Sequence, residues 1–125
     1  MVKIFLLIGS ILAGLSVALG AFASHGLKGQ LSDRALEIFE TGTEYQMYHA
    51  LALLFITLLL TRLETTSTTI INAGYAFIVG IFFFSGSLYA LSLTGIQWLG
   101  AIAPIGGAAF LLGWISLAIA AWNFK

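Results

Sequence analysis

The residues best suited to chemistry lie together between positions 39 and 51. This stretch holds two of the chain's five acidic residues, one of its two histidines and two of its four tyrosines. A carboxylate near an imidazole can bind a proton, a cation or a small polar ligand. The candidate ligand- or proton-binding residues are therefore Glu40, Glu44, Tyr45, Gln46, Tyr48 and His49, with His25 from an earlier turn.

On a helix, these candidates divide between two faces. Glu40, Glu44 and Tyr48 share one face, which also holds Met47 and Leu51. Tyr45, Gln46 and His49 fall roughly on the opposite side, so neither face alone makes a complete site. Two interpretations therefore stay open. Either the stretch forms a functional site, or its polar residues serve the fold.

The functional interpretation places Glu44 or His49 deep enough to titrate in a medium of low dielectric constant. Ionisable groups inside a bilayer are costly and are often functional. In the structural interpretation the glutamates are solvated at the membrane surface, and His49 hydrogen-bonds a neighbouring helix. The partner residues expected for His49 are then Tyr89, Asn72 or Gln97. In either case the imidazole should face protein, because lipid cannot hydrogen-bond it.

Other kinds of chemistry find little support in the sequence. The chain has no cysteine, which excludes thiolate metal sites and cysteine nucleophiles. His25 and His49 show no spacing diagnostic of a metal or haem, so neither a metal nor another cofactor is predicted. The glycine-rich runs lack the Lys-Ser/Thr ending of a phosphate-binding loop. No catalytic constellation is recognisable, and we expect the protein not to be an enzyme.

The composition places these residues in a membrane. Only 8% of the residues are charged and 60% are hydrophobic, whereas a soluble domain carries about a quarter charged residues. So few charges cannot cover a surface in water, and the surrounding solvent must be lipid. The formal net charge is zero, which gives no indication of a nucleic-acid partner.

Apolar runs predict an all-α integral membrane protein, a single domain over residues 1–125 with four transmembrane helices. The expected crossings are at about residues 4–23, 45–62, 70–93 and 98–122. Between the first two, residues 31–42 alternate apolar and charged positions with helical spacing. They predict a short interfacial amphipathic helix, and Gly42 would permit a bend before the second crossing.

Two stripes of small residues predict where the helices pack together. Small side chains at helical spacing let another backbone approach closely in a membrane. The stripe in the first helix also favours a retained helix over a cleaved signal peptide, as does an apolar run longer than a signal peptide's. The predicted packing positions are Gly9, Ala13, Ser16 and Gly20 in the first helix and Gly106, Ala109, Gly113 and Ser116 in the fourth.

The basic residues predict the orientation of the four crossings. Lys3, Arg62 and Lys125 would lie on the side of the termini, and Lys28 and Arg34 on the other side. Cytoplasmic loops carry an excess of Lys and Arg. We therefore expect both termini to be cytoplasmic.

Several local runs together resemble the YgdD-type small inner-membrane proteins. They are residues 20–28, 39–53, 86–89, 104–107 and the pair Gly113-Trp114. That family is catalogued as domain of unknown function 423, with the eukaryotic transmembrane protein 256 as a relative. The resemblance covers essentially the whole chain and implies a small multi-helix protein of the bacterial inner membrane. It implies no activity, cofactor or catalytic residue. Ala23 departs from it, since a glycine is associated with that position.

These observations predict a non-enzymatic binding or assembly protein. Its partners would be the lipid bilayer and, through the small-residue faces, a second copy of the chain or a larger membrane complex. The alternative is a small proton- or ion-coupled transporter that uses the cluster of Glu44 and His49.

Overall fold

Helices account for nearly all of residues 1–124, which the computed structural model describes. Lys125, counted above for the orientation, lies outside them. No strand occurs in this part of the chain, where a single isolated bridge joins Lys28 and Leu31. The predicted all-α class is confirmed. The helices are α1 (Val2–Phe22), α2 (Asp33–Arg62), α3 (Thr68–Gly80), α4 (Gly86–Thr94) and α5 (Ala103–Trp122).

Turns of π-helix and of 3₁₀-helix extend several of these helices. A π-helical turn, Ala23–Leu27, continues α1, and a second one, Ile81–Ser85, joins α3 to α4 without a break. A 3₁₀ turn, Gln97–Ala101, leads into α5. Gly95 ends α4 in the left-handed conformation, with φ of 71°, which a glycine adopts without a steric penalty.

Helix α2 is one element of 30 residues. The hydroxyl of Ser32 caps its first turn by accepting a hydrogen bond from the Ala35 N–H at 3.1 Å. The prediction of a separate interfacial helix and a bend at Gly42 was therefore wrong. Gly42 is helical and buried, and a Cβ there would lie 2.8 Å from a ring carbon of Tyr89. This glycine makes room for an aromatic ring and does not bend the helix.

Within residues 1–124, three helical stretches are long and apolar enough to cross a membrane, where four were predicted. They are Val2–Leu27, Thr68–Thr94 and Gln97–Trp122. Helix α2 is longer than any of them but is not in this group. Its first half carries charged and polar side chains, so length and composition alone do not mark it as a crossing.

Helix α2 lies at the centre of the packing. It contacts α1, α3 and α4 along its length, and α5 packs mainly against α3. The main hydrophobic core brings together buried residues of α1, α2, α3 and α5, including Phe5, Leu53, Ile56, Ile70, Phe77 and Phe110. A smaller cluster of Ala23, Leu27 and Phe39 closes one end of the α1–α2 pair.

All eight predicted packing residues are buried or half-buried, although their surroundings differ. Gly9, Ser16, Gly106 and Gly113 are buried, and the other four are half-buried. A Cβ at Gly113 would lie 2.5 Å from the ring of Phe77, and one at Gly106 would collide with the backbone of Phe84. At Gly20 the nearest contact would be the Thr43 hydroxyl, 3.9 Å away. The α5 stripe therefore makes much closer contacts than the end of the α1 stripe.

Candidate functional site

The buried face of α2 between Gly42 and His49 is hydrogen-bonded to helices on every side. We call this group the polar hub. It consists of Ser16 from α1; Gly42, Thr43, Gln46 and His49 from α2; Ser85 from the π turn; Tyr89 from α4; and Trp114 from α5.

Two hydrogen bonds join α2 to α1. The Ser16 hydroxyl donates to the Thr43 carbonyl at 2.8 Å. The Gln46 side-chain amide donates to the Leu12 carbonyl, also at 2.8 Å. Both bonds end on backbone carbonyls of the opposite helix, so they require the two backbones to lie close together. Small Ser16 permits that approach, which is typical of membrane helix pairs.

Two more bonds join α2 to the stretch formed by α3, the π turn and α4. The Ser85 hydroxyl donates to the Gly42 carbonyl at 2.7 Å. The Tyr89 hydroxyl donates to Oε1 of Gln46 at 2.6 Å, and the Tyr89 ring covers Gly42. Gln46 thus uses its amide nitrogen toward α1 and its amide oxygen toward α4. One side chain bridges three helices.

His49 joins α2 to α5. Trp114 donates its indole N–H to Nε2 of His49 at 3.1 Å. Nδ1 of the ring lies 2.8 Å from the Tyr45 carbonyl, which can only accept a hydrogen bond. Nε2 therefore accepts and Nδ1 donates, an arrangement that the neutral imidazole with its proton on Nδ1 satisfies completely. The ring also stacks on Phe110, with centroids 3.5 Å apart and planes at 8°.

The imidazole faces protein and has a polar partner on another helix, as predicted, but the predicted partner was wrong. Tyr89 bonds Gln46, while Asn72 and Gln97 are exposed. Only 5% of His49 is exposed. The partner is Trp114, which lies 65 positions away along the chain.

The structure brings some predicted candidates together and separates others. Gln46 and His49 lie in the hub, and the Tyr45 ring packs beside His49 with its centroid 6.3 Å away. Glu40, Glu44 and Tyr48 are exposed on the opposite side of α2. His25 is exposed in the π turn after α1. No predicted acid therefore shares a site with the buried histidine.

Several residues that form hydrogen bonds in the hub were not predicted from the sequence. Thr43, Ser85 and Trp114 were not proposed for the site, and Ser16 was predicted only as a packing residue. The hydroxyl of Ser85, directly after the apolar run at residues 81–84, is the clearest signal that was available. A polar side chain in such a run needs a partner inside the protein.

The hub has no capacity left for a charged ligand. Its side chains are uncharged, and every buried side-chain nitrogen or oxygen in the described part of the chain has a hydrogen-bond partner. Within residues 1–124, no three His, Asp or Glu side chains come close enough to hold a metal ion. The hydrogen bonds of the hub join α2 to α1, the π turn, α4 and α5.

Fold and hub together define a class of protein: a small helical membrane protein whose central helix is fastened to its neighbours by uncharged hydrogen bonds. The family model described as "Protein of unknown function (DUF423)" matches residues 19–107. The chain is 49% identical over 122 residues to a UPF0382 membrane protein of Staphylococcus aureus strain bovine RF122 / ET3-1. It is 46% identical over the same length to the UPF0382 membrane protein YwdK of Bacillus subtilis strain 168.

Each of these alignments covers 98% of both chains. The chain therefore belongs to the DUF423 family of membrane proteins, and the resemblance noted in the sequence is confirmed. No solved structure matches it significantly.

Proposed function

We propose that this protein is a non-enzymatic binding or assembly protein of the bacterial inner membrane. The observation that carries the proposal is the complete pairing of the polar hub. The side chains of Ser16, Gln46, His49, Ser85, Tyr89 and Trp114 and the carbonyls of Gly42 and Thr43 join α2 to its neighbours. A catalytic or transport site would need a polar group free to meet a substrate, and the hub offers none. The bacterial membrane is supported by the two relatives named above.

We further propose that α2 is a fourth crossing. Contacts between α2 and α1 show which segment of α2 lies beside the apolar span of α1. Phe39 packs near Ala23 at one end, Gly9 meets Ala50 and Leu54, and Leu60 lies beside Val2 at the other end. Glu44 is exposed, so the part of α2 that crosses the hydrocarbon begins after it, and residues 45–62 are about 27 Å long at 1.5 Å per residue. That length matches a hydrocarbon core of about 30 Å.

This alignment accounts for the pairing of His49. His49 lies five positions after the exposed Glu44, so the ring lies about 7 Å inside the membrane boundary. An unpaired polar group within the hydrocarbon is costly. The bonds to Trp114 and Tyr45 remove this cost.

The proposed topology, with four crossings and cytoplasmic termini, can be tested directly. Reporter fusions after Lys28 and Gln97 should report the outer side, and fusions after Thr66 and Lys125 the cytoplasm. The basis is the distribution of Lys3, Arg62 and Lys125 against Lys28 and Arg34. Opposite reports from Lys28 and Gln97 would exclude four crossings.

The transporter alternative is disfavoured by the separation of Glu44 from His49. Proton or sodium flux into proteoliposomes should equal that of protein-free liposomes. A flux that disappears in Glu44→Gln would reverse this choice. Native purification, followed by identification of co-purified lipids and proteins, tests binding and assembly directly. Recovery of the chain from the membrane without any co-purified lipid or protein would count against both binding and assembly.

A further inference from the structure

A groove of about 640 Å³ opens on one side of the helix bundle. It lies between α1 and the continuous stretch of α3, the π turn and α4. The two walls meet near one end, where Phe5 packs against Gly74 and Tyr75. They separate toward the other end. The walls are apolar, with Ile8, Leu12, Leu15 and Leu19 on one side and Ile78 and Phe82 on the other.

The groove opens toward the bilayer. Both walls belong to stretches that are long and apolar enough to cross a membrane. Phe82, at the rim, is 72% exposed. In a membrane-spanning arrangement, the groove therefore communicates with lipid and not with water.

The polar atoms on the floor of the groove already have partners within the protein. Tyr89 donates to Gln46, Ser85 to the Gly42 carbonyl and Ser87 to the Phe84 carbonyl. No charged side chain lines the groove. An ion or a strongly polar head group would find no counter-charge here, whereas a hydrocarbon chain disturbs none of these bonds.

The dimensions distinguish a lipid chain from a protein helix. From Ile8 to Leu19 the groove is about 16 Å long at 1.5 Å per residue, roughly half of a hydrocarbon core of about 30 Å. A membrane-spanning helix of a second copy would need a groove as long as the hydrocarbon core, whereas one acyl chain extends across about half of it.

The backbone is shaped to keep this space open. The π turn Ile81–Ser85 forms part of the wall, and π turns recur at functional sites. Gly86 follows it, and a Cβ added there would meet nothing within 4 Å. A side chain added at position 86 would therefore begin in open space on the wall of the groove.

We propose that the groove is a binding site for one acyl chain of a membrane phospholipid. The chain enters from the leaflet nearer Gln97, because Leu19, Ala90 and Leu99 line the groove toward that end. This assignment rests on the proposed binding function and gives it a site and a ligand class. Its occupant is hydrocarbon, and the protein recognises it by shape.

The test uses the full chain in nanodiscs of phosphatidylethanolamine and phosphatidylglycerol. A trace of phosphatidylcholine carries a photoactivatable diazirine in one acyl chain. After illumination, labelled peptides are mapped by mass spectrometry. The wild type should be labelled mainly within residues 8–19 and 78–90. Native mass spectrometry of the purified chain should show one retained phospholipid per chain.

Gly86→Phe should reduce both the groove labelling and the retained phospholipid by about tenfold. Gly14→Phe is the matched control. Gly14 is an exposed helical glycine with nothing within 4 Å of an added Cβ, and it lies outside the groove. It should retain wild-type labelling within about twofold. If circular dichroism shows that Gly86→Phe does not fold, Ala90→Leu fills the same space with a smaller change.

Uniform labelling around the bundle would overturn the assignment, as would equal phospholipid retention in Gly86→Phe and Gly14→Phe. Chain-to-chain cross-links through the groove would replace the lipid with a second copy, and a retained isoprenoid quinone would replace it with a different ligand. If the fusions report four crossings and the groove stays unlabelled, the groove assignment fails alone. Failure of the topology itself would remove the basis of the proposed function.

Discussion

The two faces of α2 use polar residues in opposite ways. The inward face carries the polar hub, which has no charge and bonds to α1, α4 and α5. The outward face is exposed along its whole length and changes from acidic to apolar as the helix proceeds. Its residues are Asp33, Glu37, Glu40, Glu44, Tyr48, Leu51, Phe55 and Leu58.

This difference shows what each kind of polar residue contributes. Within residues 1–124 the carboxylates form one ion pair, between Arg34 and Glu37, and both partners are mostly exposed. Such a pair contributes little to stability. The uncharged hub residues determine which helices pack together and how the helices are positioned along their axes. In α2, the charged residues lie on the exposed face, and the neutral hub residues make the contacts with the other helices.

The largest difference in stability is expected between two glycines, Gly113 in tight contact with a ring and Gly20 in open surroundings. Gly113→Leu should lower the free energy of unfolding by about 1–3 kcal/mol or more, because its side chain would collide with Phe77. Gly20→Leu, in the first of the two predicted packing stripes, should cost less than about 1 kcal/mol, because its surroundings are open. Unfolding by SDS in mixed micelles measures both. Equal losses would show that the two stripes pack alike.

A smaller loss is expected when His49 is removed from the hub. His49→Ala removes the hydrogen bond to Trp114 and the stacking on Phe110. Together these should amount to about 1–2 kcal/mol.

Trp114→Phe provides the matched variant, because it keeps an aromatic ring and removes only the indole donor. It should lose about half as much stability as His49→Ala. Tryptophan fluorescence in detergent follows the change, and full stability in both variants would mean that the bond contributes nothing.

Tyr89→Phe should produce a loss of about 0.6 kcal/mol, the average for a hydrogen bond inside a membrane protein. It removes the hydroxyl that donates to Gln46 and leaves the ring over Gly42. A double-mutant cycle with Gln46→Leu isolates the pair. A coupling energy near zero would indicate that Gln46 serves α1 alone.

The smallest effect is expected on the outward face. Glu44→Gln removes a charge from an exposed position and should change the free energy of unfolding by less than about 0.5 kcal/mol. The same SDS titration measures it. A loss above 1 kcal/mol would show that this carboxylate has a partner on the protein or on a neighbouring chain.

Hydrophobic run lengths were enough to predict the helical membrane class, because the thickness of a bilayer fixes how long an apolar segment must be. They did not predict the continuity of α2. A glycine bends a helix or admits a neighbour depending on what packs against it, and the ring over Gly42 comes from residue 89. The partner of His49 escaped prediction for the same reason. Sequence periodicity defines the faces of one helix and does not say which other helix each face meets.

The π turn Ile81–Ser85 has a consequence for how this chain tolerates insertions and deletions. A π turn holds one residue more than the corresponding α-helical turn, so the helix after it is rotated by about 100° relative to a regular continuation. Ile70 and Phe77, before the turn, point into the apolar core, whereas Tyr89, after it, reaches Gln46. Losing a single residue between 81 and 85 would restore an uninterrupted α-helix and turn Tyr89 away from α2. Changes in length at this turn are therefore constrained by the rotational phase of the helix, even where the deleted side chain itself faces lipid.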